Sequence, residues 1–302
     1  MLRLIFIASA CLFISSVATA QSPQSTPSIQ IDTQRLSLQS GYKITVEGTF
    51  QGEIGSGVAI DTYDGLITSC IYADHFIVND IDKSRLPRAV IDAQLFSPSS
   101  EDSLINAVLN LPSLPAGPHH LTSEEDCGVA PFETVFRLEI QNDSNTLIQA
   151  IDTNGDGQFD RQLTEPQNSF ALTINQPGIH RIKALLSDGT TVSRPIIVNS
   201  ESSVIARAQP SLELFINAMT ANDPDTASIA FLRSISDQTK ASLSATLSTY
   251  PNFGSQLSTP VPVSVSEKFV SFLLSHDSGS IKRASVVELT PDRTGVWRIS
   301  TM

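Results

Sequence analysis

Around Lys43 the chain alternates between apolar and polar residues. Ile44 and Val46 fall on one face, and Lys43, Thr45 and Glu47 fall on the other. A period of two marks a half-buried strand, and Gly41 and Gly48 punctuate it. Short runs of the same kind follow in GVAID, GLITSCIYA, AVIDAQLF, SLINAVLNL and TVFRLEI, separated by clusters of Pro, Gly, Ser and Asp. Strands this short, with turn signals between them, predict a two-sheet sandwich over residues 29–141, with residues 74–103 as its irregular part.

The alternation continues over residues 142–200. Phe170, Leu172 and Ile174 alternate with Ala171 and Thr173, and Ile182, Ala184 and Leu186 alternate with Arg181 and Lys183. Pro177-Gly178 and Asp188-Gly189 supply turns. From Ser203 the period changes. Leu212, Phe215, Ile216 and Met219 share one helical face. Pro210 suits a first helical turn. Asp223 or Asp225 can cap a second helix holding Ile229, Phe231 and Leu232, and Ser236 can cap a third, with Leu243 and Leu247 four apart. Strands return in VPVSV, KFVSFLLSH, KRASVVELT and GVWRIST, with HDSGS and TPDRTG as turns. Helices followed by antiparallel strands predict an α+β unit over residues 203–302.

Three resemblances sharpen this outline. LQSGYKITVEGTF and INAVLNLPSLPAGPHHLT resemble an early strand and a strand-to-strand corner of bacterial immunoglobulin-like domains. Asp152, Gly155, Asp156, Gly157 and Asp160 match the D-x-x-GDG-x-x-D turn of PKD domains. Pro177, Gly178, Ile179, Ile182, Ala184, Leu186, Asp188 and Gly189 match their later hairpin, although Ala150-Ile151 stands where that family has an aromatic residue. MTANDPDTASIAFL and DRTGVWRISTM resemble the helix pair and the final strand of secreted NTF2-like (cystatin-like) domains. The resemblances imply a mainly β chain with a C-terminal α+β domain. Its order is an immunoglobulin-like β-sandwich over 29–141, a PKD-like β-sandwich over 142–200, and an NTF2-like cone of helices and curled sheet over 203–302.

The N-terminus adds a location. Arg3 precedes an apolar run over residues 4–17 that ends in Ala18-Thr19-Ala20, which predicts a secretory signal peptide over 1–20 cleaved before Gln21. The run is shorter than the ~20 residues that span a bilayer. Cys11, after Ala8-Ser9-Ala10, makes a lipoprotein the lesser reading. QSPQSTPS, residues 21–28, reads as a flexible leader. No later stretch is apolar and long enough to cross a membrane, so a periplasmic or secreted location is expected. The mature chain then keeps Cys70 and Cys127. An oxidising compartment invites one disulfide between them, and two buried free thiols are the alternative. The net charge of -12 argues against nucleic acid and anionic membrane surfaces as partners.

The most pointed chemistry lies in DTNGDGQFD. Asp152, Asn154, Asp156, Gln158 and Asp160 follow the first nine positions of an EF-hand loop and are the candidate calcium ligands. The twelfth position, which needs a bidentate acid, is Leu163, and Pro166 disfavours the exiting helix. The competing reading is a turn rich in Asp and Asn because these residues bond their own backbone. GSGVAIDTYDGLITSC resembles early strands of periplasmic trypsin-like proteases through Gly55, Ser56, Gly57, Ile60, Asp61, Gly65, Ile67 and Thr68. The expected catalytic His position falls near Ile71, and no GDSGG follows. His119-His120 reads as a polar surface turn, His180 as a packed or boundary histidine, His276-Asp277 as a hairpin turn and Trp297 as core. No complete catalytic set is legible. The expected function is an exported, non-catalytic binding or structural module recognising protein or glycan. The alternatives are a ligand-binding or enzymatic pocket in the last domain, and an accessory subunit of an export or surface assembly.

Overall fold

The computed structural model describes residues 26–38, 43–113, 117–140, 145–278 and 281–302; the expected signal peptide, Cys11 and residues 21–25 of the expected leader lie outside them. The first unit contains β1 (Ser28–Ile31), β2 (Ser37–Leu38), β3 (Lys43–Gln51), β4 (Gly57–Thr62), β5 (Gly65–Thr68), β6 (Cys70–Tyr72), β7 (His75–Asp82), β8 (Val90–Phe96) and β9 (Ser103–Asn110). One sheet runs β1-β3-β7-β6, with β2 on β3, and the other runs β5-β4-β8-β9. Ile44, Val46, Phe76 and Val78 from the first sheet share one buried core with Val58, Ile60, Ile91 and Leu95 from the second. GLITSCIYA, which reads as one strand, is split between the sheets. Ser69 makes the corner, donating its amide and hydroxyl to the Val58 carbonyl at 3.0 and 2.7 Å.

The second unit contains β10 (His119–Ser123), β11 (Cys127–Val129), β12 (Phe132–Ile140), β13 (Ile148–Asp152), β14 (Arg161–Gln167), β15 (Ser169–Ile174), β16 (Gly178–Leu186) and β17 (Thr191–Asn199). Its sheets run β10-β12-β15 and β11-β17-β16-β13-β14. Phe136 stacks on Phe170 with centroids 4.9 Å apart, inside a core completed by Leu121, Ile151, Ile182 and Ile196. The strands between His119 and Ile140 therefore pair and pack with the second sandwich, well before the boundary expected after residue 141. Alternation alone is silent on this point, because it has the same period in either sandwich.

The third unit contains α1 (Glu201–Thr220), α2 (Pro224–Ile229), α3 (Ser236–Thr249), β18 (Val261–Val265), β19 (Val270–Ser278), β20 (Ile281–Pro291) and β21 (Trp297–Thr301). The strands form an antiparallel sheet in sequence order. The helices bury Leu212, Phe215 and Met219 against Phe272, Leu274, Leu289 and Trp297, and Phe231 and Leu232, expected in α2, lie beyond its end, where Phe231 bridges to Ile299 of β21. Helix α1 starts earlier than Pro210 suggests. The Ser200 side chain accepts the Ser203 amide at 3.1 Å and caps it, so Pro210 lies in its interior. Asp223 caps α2 by accepting the Thr226 amide at 3.0 Å. Ile235 takes the cap position of α3, and the Ser236 hydroxyl instead donates to the Arg233 carbonyl at 3.2 Å. His276 sits within β19 opposite Arg283, not in the turn, with its ring 5.4 Å from that of Phe253.

Candidate functional site

The loop after β13 closes on its own donors. Asp152 is fully buried; its Oδ1 accepts the Gly155 amide at 2.7 Å and its Oδ2 the Gly157 amide at 2.8 Å. The Lys183 ammonium stands 3.6 Å from Oδ2. Burial pushes this carboxyl up, but the glycine amides, Lys183 and the Asn154 amide outweigh it and hold it below its usual range. Gly155 and Gly157 take φ values of 77° and 91°, the left-handed backbone that lets their N–H groups turn inward. Asp160 accepts the Thr153 amide at 3.2 Å and its hydroxyl at 2.6 Å. Asp156 accepts the Gln158 amide at 2.7 Å and the Asn154 Nδ2 at 3.2 Å. Among the described residues no three His, Cys, Asp or Glu side chains gather to hold a metal ion.

This geometry separates the two aspartates by expected effect. Asp152→Ala removes the acceptor of two partly buried amides and should lower the unfolding free energy by about 2 kcal/mol. Asp156→Ala, on the exposed side, should change it by less than ~0.5 kcal/mol. The contribution of Asp152 is present above the unfolded carboxyl value near 3.8 and is lost as pH falls through the lower folded value. Urea titrations at pH 7 and pH 3 measure both. Added calcium should leave the melting temperature of the full chain unchanged; a rise abolished by Asp156→Ala would establish the calcium reading.

A second concentration of charge lies between the two sandwiches. Thr45 and Glu47, on the polar face of β3, are buried. Arg181 of β16 grips Glu47 with two parallel bonds of 2.8 and 2.5 Å, and the bond to Glu47 holds its guanidinium above its ordinary value against burial. Asn79 accepts the Thr45 hydroxyl at 2.9 Å and donates to the Pro195 carbonyl at 3.0 Å. At the centre Arg194 of β17, its side chain 1 % exposed, donates from Nη2 to Asp80 and to Asp126, both at 2.8 Å, and from Nε to Asp126 at 2.8 Å. Burial opposes its charge, but Asp126 and Asp80 outweigh burial and raise its pKa. Asp80 reaches Arg194 from a register shift between β3 and β7, with φ of 57°, a bulge that re-aims a side chain.

Neither adjacent histidine lies in a surface turn: His120 faces this seam, its Nε2 4.0 Å from Asp80, and His119 pairs within the second sandwich. They lie buried on β10. His119 Nε2 is 3.2 Å from Asp188, and His120 Nε2 is 3.0 Å from Glu139, which also takes the Lys43 ammonium at 3.2 Å. Burial pushes His120 below the usual imidazole range, with Glu139 and Asp80 pulling it partly back. Cys70 on β6 and Cys127 on β11 form a disulfide, so the bond joins one sandwich to the other.

The third unit meets both sandwiches through two buried polar nodes. Asn199 donates to the Ile71 carbonyl at 2.9 Å and to Glu267 at 2.6 Å. Arg207 of α1 lies 3.5 Å from Glu267. Burial is the main influence on both, raising Glu267 and lowering Arg207, and the pairing offsets it in part. Arg298 of β21 donates to the carbonyls of Pro98 at 2.6 Å, Ile229 at 2.7 Å and Ser100 at 2.9 Å. Gly57 packs so closely on Gly295 and Thr294 that an added Cβ would stand 2.4 Å from their backbone.

Several clefts are open among the described residues, two of them beside strands β5 and β8. One, of about 900 Å³, lies between β5 and the third unit and includes Leu66, Thr68, Leu232, Arg233, Arg293 and Thr294. The other, of about 550 Å³, lies on the outer face of the first sandwich and includes Asp61, Tyr63, Pro87, Arg88, Asp92 and Val108. Of these residues, the sequence pattern marked Leu232 for a helix and Asp61 and Thr68 for a protease-like pair of strands, and none of them for a cleft.

No protein-family model matches the sequence. No curated protein matches it either. Among solved structures, a biofilm-associated protein BSP domain is 14% identical, with 58% of this chain and 30% of that chain covered and a TM-score of 0.25. The fibronectin(III)-like modules of Clostridium thermocellum CbhA are 14% identical, with 57% and 95% covered and a TM-score of 0.20. A family 2 glycosyl hydrolase from Bacteroides cellulosilyticus is 12% identical, with 53% of this chain and 23% of that chain covered and a TM-score of 0.22. Superpositions this weak carry no argument about function, and the two-sheet architecture rests on this chain's own pairing and cores.

Proposed function

We propose that this chain is a non-catalytic binding or structural module that works outside the cytoplasm. One observation carries the reading: the buried charged groups are spent on one another across the boundaries between units. Arg194 with Asp80 and Arg181 with Glu47 join the two sandwiches, and Glu267, paired with Arg207 inside the third unit, also takes a hydrogen bond from Asn199 of the second. The space between the helices and the sheet of the third unit is filled by Phe215, Phe231, Phe272 and Trp297, which opposes a reactive pocket there. Among the described residues no helix is long and apolar enough to cross a membrane. In this reading the units are an immunoglobulin-like sandwich, a PKD-like sandwich and an NTF2-like unit, and the disulfide belongs to an oxidising compartment.

The test combines export and turnover. The protein recovered from outside the cytoplasm should begin at Gln21 by N-terminal sequencing. Immobilised full chain should capture a component of the cell envelope or its surroundings saturably, without hydrolysing ester, peptide or glycosidic substrates. Turnover that survives repurification and disappears on substitution of one acidic or histidine residue would overturn the reading.

A further inference from the structure

We infer that the cleft on the outer face of the first sandwich is a binding site for a neutral oligosaccharide chain, an inference that rests on the binding-module reading above. Ile60 and Ala93 pair across β4 and β8 and point into the core, so the next residues on the two strands, Asp61 and Asp92, emerge together on the outer face. Asp92 lies opposite the exposed Val108 of β9 and accepts the Asn106 Nδ2 at 3.0 Å. Asp61 is half-buried and, among the described residues, has no hydrogen-bonding or ionic partner; the Arg88 guanidinium has none either. Two groups of opposite sign thus share a cleft without satisfying each other.

The rim is held in place. Tyr63 is 69 % exposed, yet its backbone is fixed by its own amide, which donates to the Arg85 carbonyl at 2.9 Å. Thr62, buried beneath it, closes the hairpin by donating to the Gly65 carbonyl at 2.6 Å. The facing wall is the turn Leu86–Pro87–Arg88–Ala89, closed by the Ala89 amide to the Leu86 carbonyl at 3.2 Å. Arg88 and Ala89 take φ values of 56° and 54° in succession. The third position of such a turn is where glycine or asparagine relieves strain. Buried Leu86 anchors the turn, so a large cationic residue keeps this backbone conformation at a local cost.

The chemistry selects the ligand. Strands β4 and β8 are internal to their sheet, so their main-chain groups are already paired and cannot add a peptide strand. Recognition must come from side chains. Carboxylates only accept and the guanidinium only donates, a combination met by vicinal hydroxyls, which do both. A polyanion would meet Asp61 and Asp92, and a polycation would meet Arg88, so a neutral chain fits best. Tyr63, Val108 and Pro87 offer apolar surface to the faces of sugar rings, and about 550 Å³ is in the range of small-molecule sites.

Calorimetric titration of the full chain with the hexasaccharides of β-1,4-glucose, α-1,4-glucose and β-1,4-N-acetylglucosamine tests this, with pentalysine as the charged control. At least one hexasaccharide should bind saturably. Tyr63→Ala and Arg88→Gly should each weaken it about tenfold or more, the loss expected for one aromatic or charged contact. Arg88→Gly should melt no lower than wild type, because glycine accepts the turn. Absence of binding by all three sugars, binding indifferent to both variants, or pentalysine binding more tightly would overturn the site. If the sugars fail while the chain still captures envelope material without turnover, only this inference falls. Turnover would sink the reading on which it rests.

Discussion

Arg194→Met is expected to lower the unfolding free energy by about 3–5 kcal/mol, the cost of removing one partner from a buried charge cluster. Methionine fills similar volume, so little of that loss comes from a cavity. What is lost is the cation between Asp80 and Asp126, the Nη1 donor to the Leu121 carbonyl at 3.1 Å and the Nε donor to Ser123 at 2.7 Å. The two carboxylates keep side-chain exposures of 28% and 25%, so water relieves part of their mutual repulsion and the loss falls near the lower figure. Arg194→Lys should recover less than half, because one ammonium cannot reproduce the fork. Combining Arg194→Met with Asp80→Asn and Asp126→Asn should recover most of the loss, since no charge is then stranded. Urea denaturation followed by circular dichroism measures all three. A change below ~0.5 kcal/mol for Arg194→Met would show that the cluster does not brace the two sandwiches.

The same seam explains which parts of the fold are legible in the sequence. Ile44 and Val46 announce an inward face because nothing but a core suits them, and both are fully buried. Thr45 and Glu47 announce only the opposite face. A polar face turned to water and one turned to a charged neighbour share the same alternation, so their burial against Arg181 and Asn79 is invisible without coordinates. His119 and His120 fail for the same reason: adjacent polar residues beside Gly117 and Pro118 suggest a turn, whereas Leu121, fully buried on the same strand, belongs to a core assembled from distant residues. The helix–sheet order of the last unit is legible because its period changes, and Asp223 caps as its side chain predicts. Pro210 misleads because the preceding residues are good enough helix formers to carry α1 through it. The glycines of DTNGDGQFD foretell a tight turn, and the structure shows why Asp152 opens it: its buried carboxylate accepts the Gly155 and Gly157 amides and holds the turn closed. The outer cleft leaves the weakest trace. Tyr63 and Arg88 are ordinary surface residues in the sequence, and only the backbone angles at Arg88 and Ala89 distinguish the turn that presents them.

Removing the disulfide, by Cys70→Ser with Cys127→Ser, should cost about 4 kcal/mol in the chain-entropy account of a loop of this length, whose ends are 57 residues apart. For a chain of this size that corresponds to a fall in melting temperature of roughly 10 °C. Thiol labelling of the denatured, unreduced protein should find neither cysteine free. The position of the bond makes the loss specific. Cys70 pairs opposite Ile77 at the edge of one sandwich and Cys127 opposite Ile197 at the edge of the other, so each sandwich keeps its own core when the bond is absent. The serine variant should therefore retain its β-sheet signal at 20 °C while losing cooperativity between the two units. Arg194→Met loosens the same junction without touching the covalent link. With both changes the direct polar links left between the two sandwiches include Glu47–Arg181, Lys43–Glu139, Asn79 to the Pro195 carbonyl and Asn199 to the Ile71 carbonyl, and calorimetry should resolve two transitions in place of one. A combined variant that still melts in a single step would mean that the sandwiches are coupled chiefly through the third unit, by way of Asn199, Glu267 and Arg298.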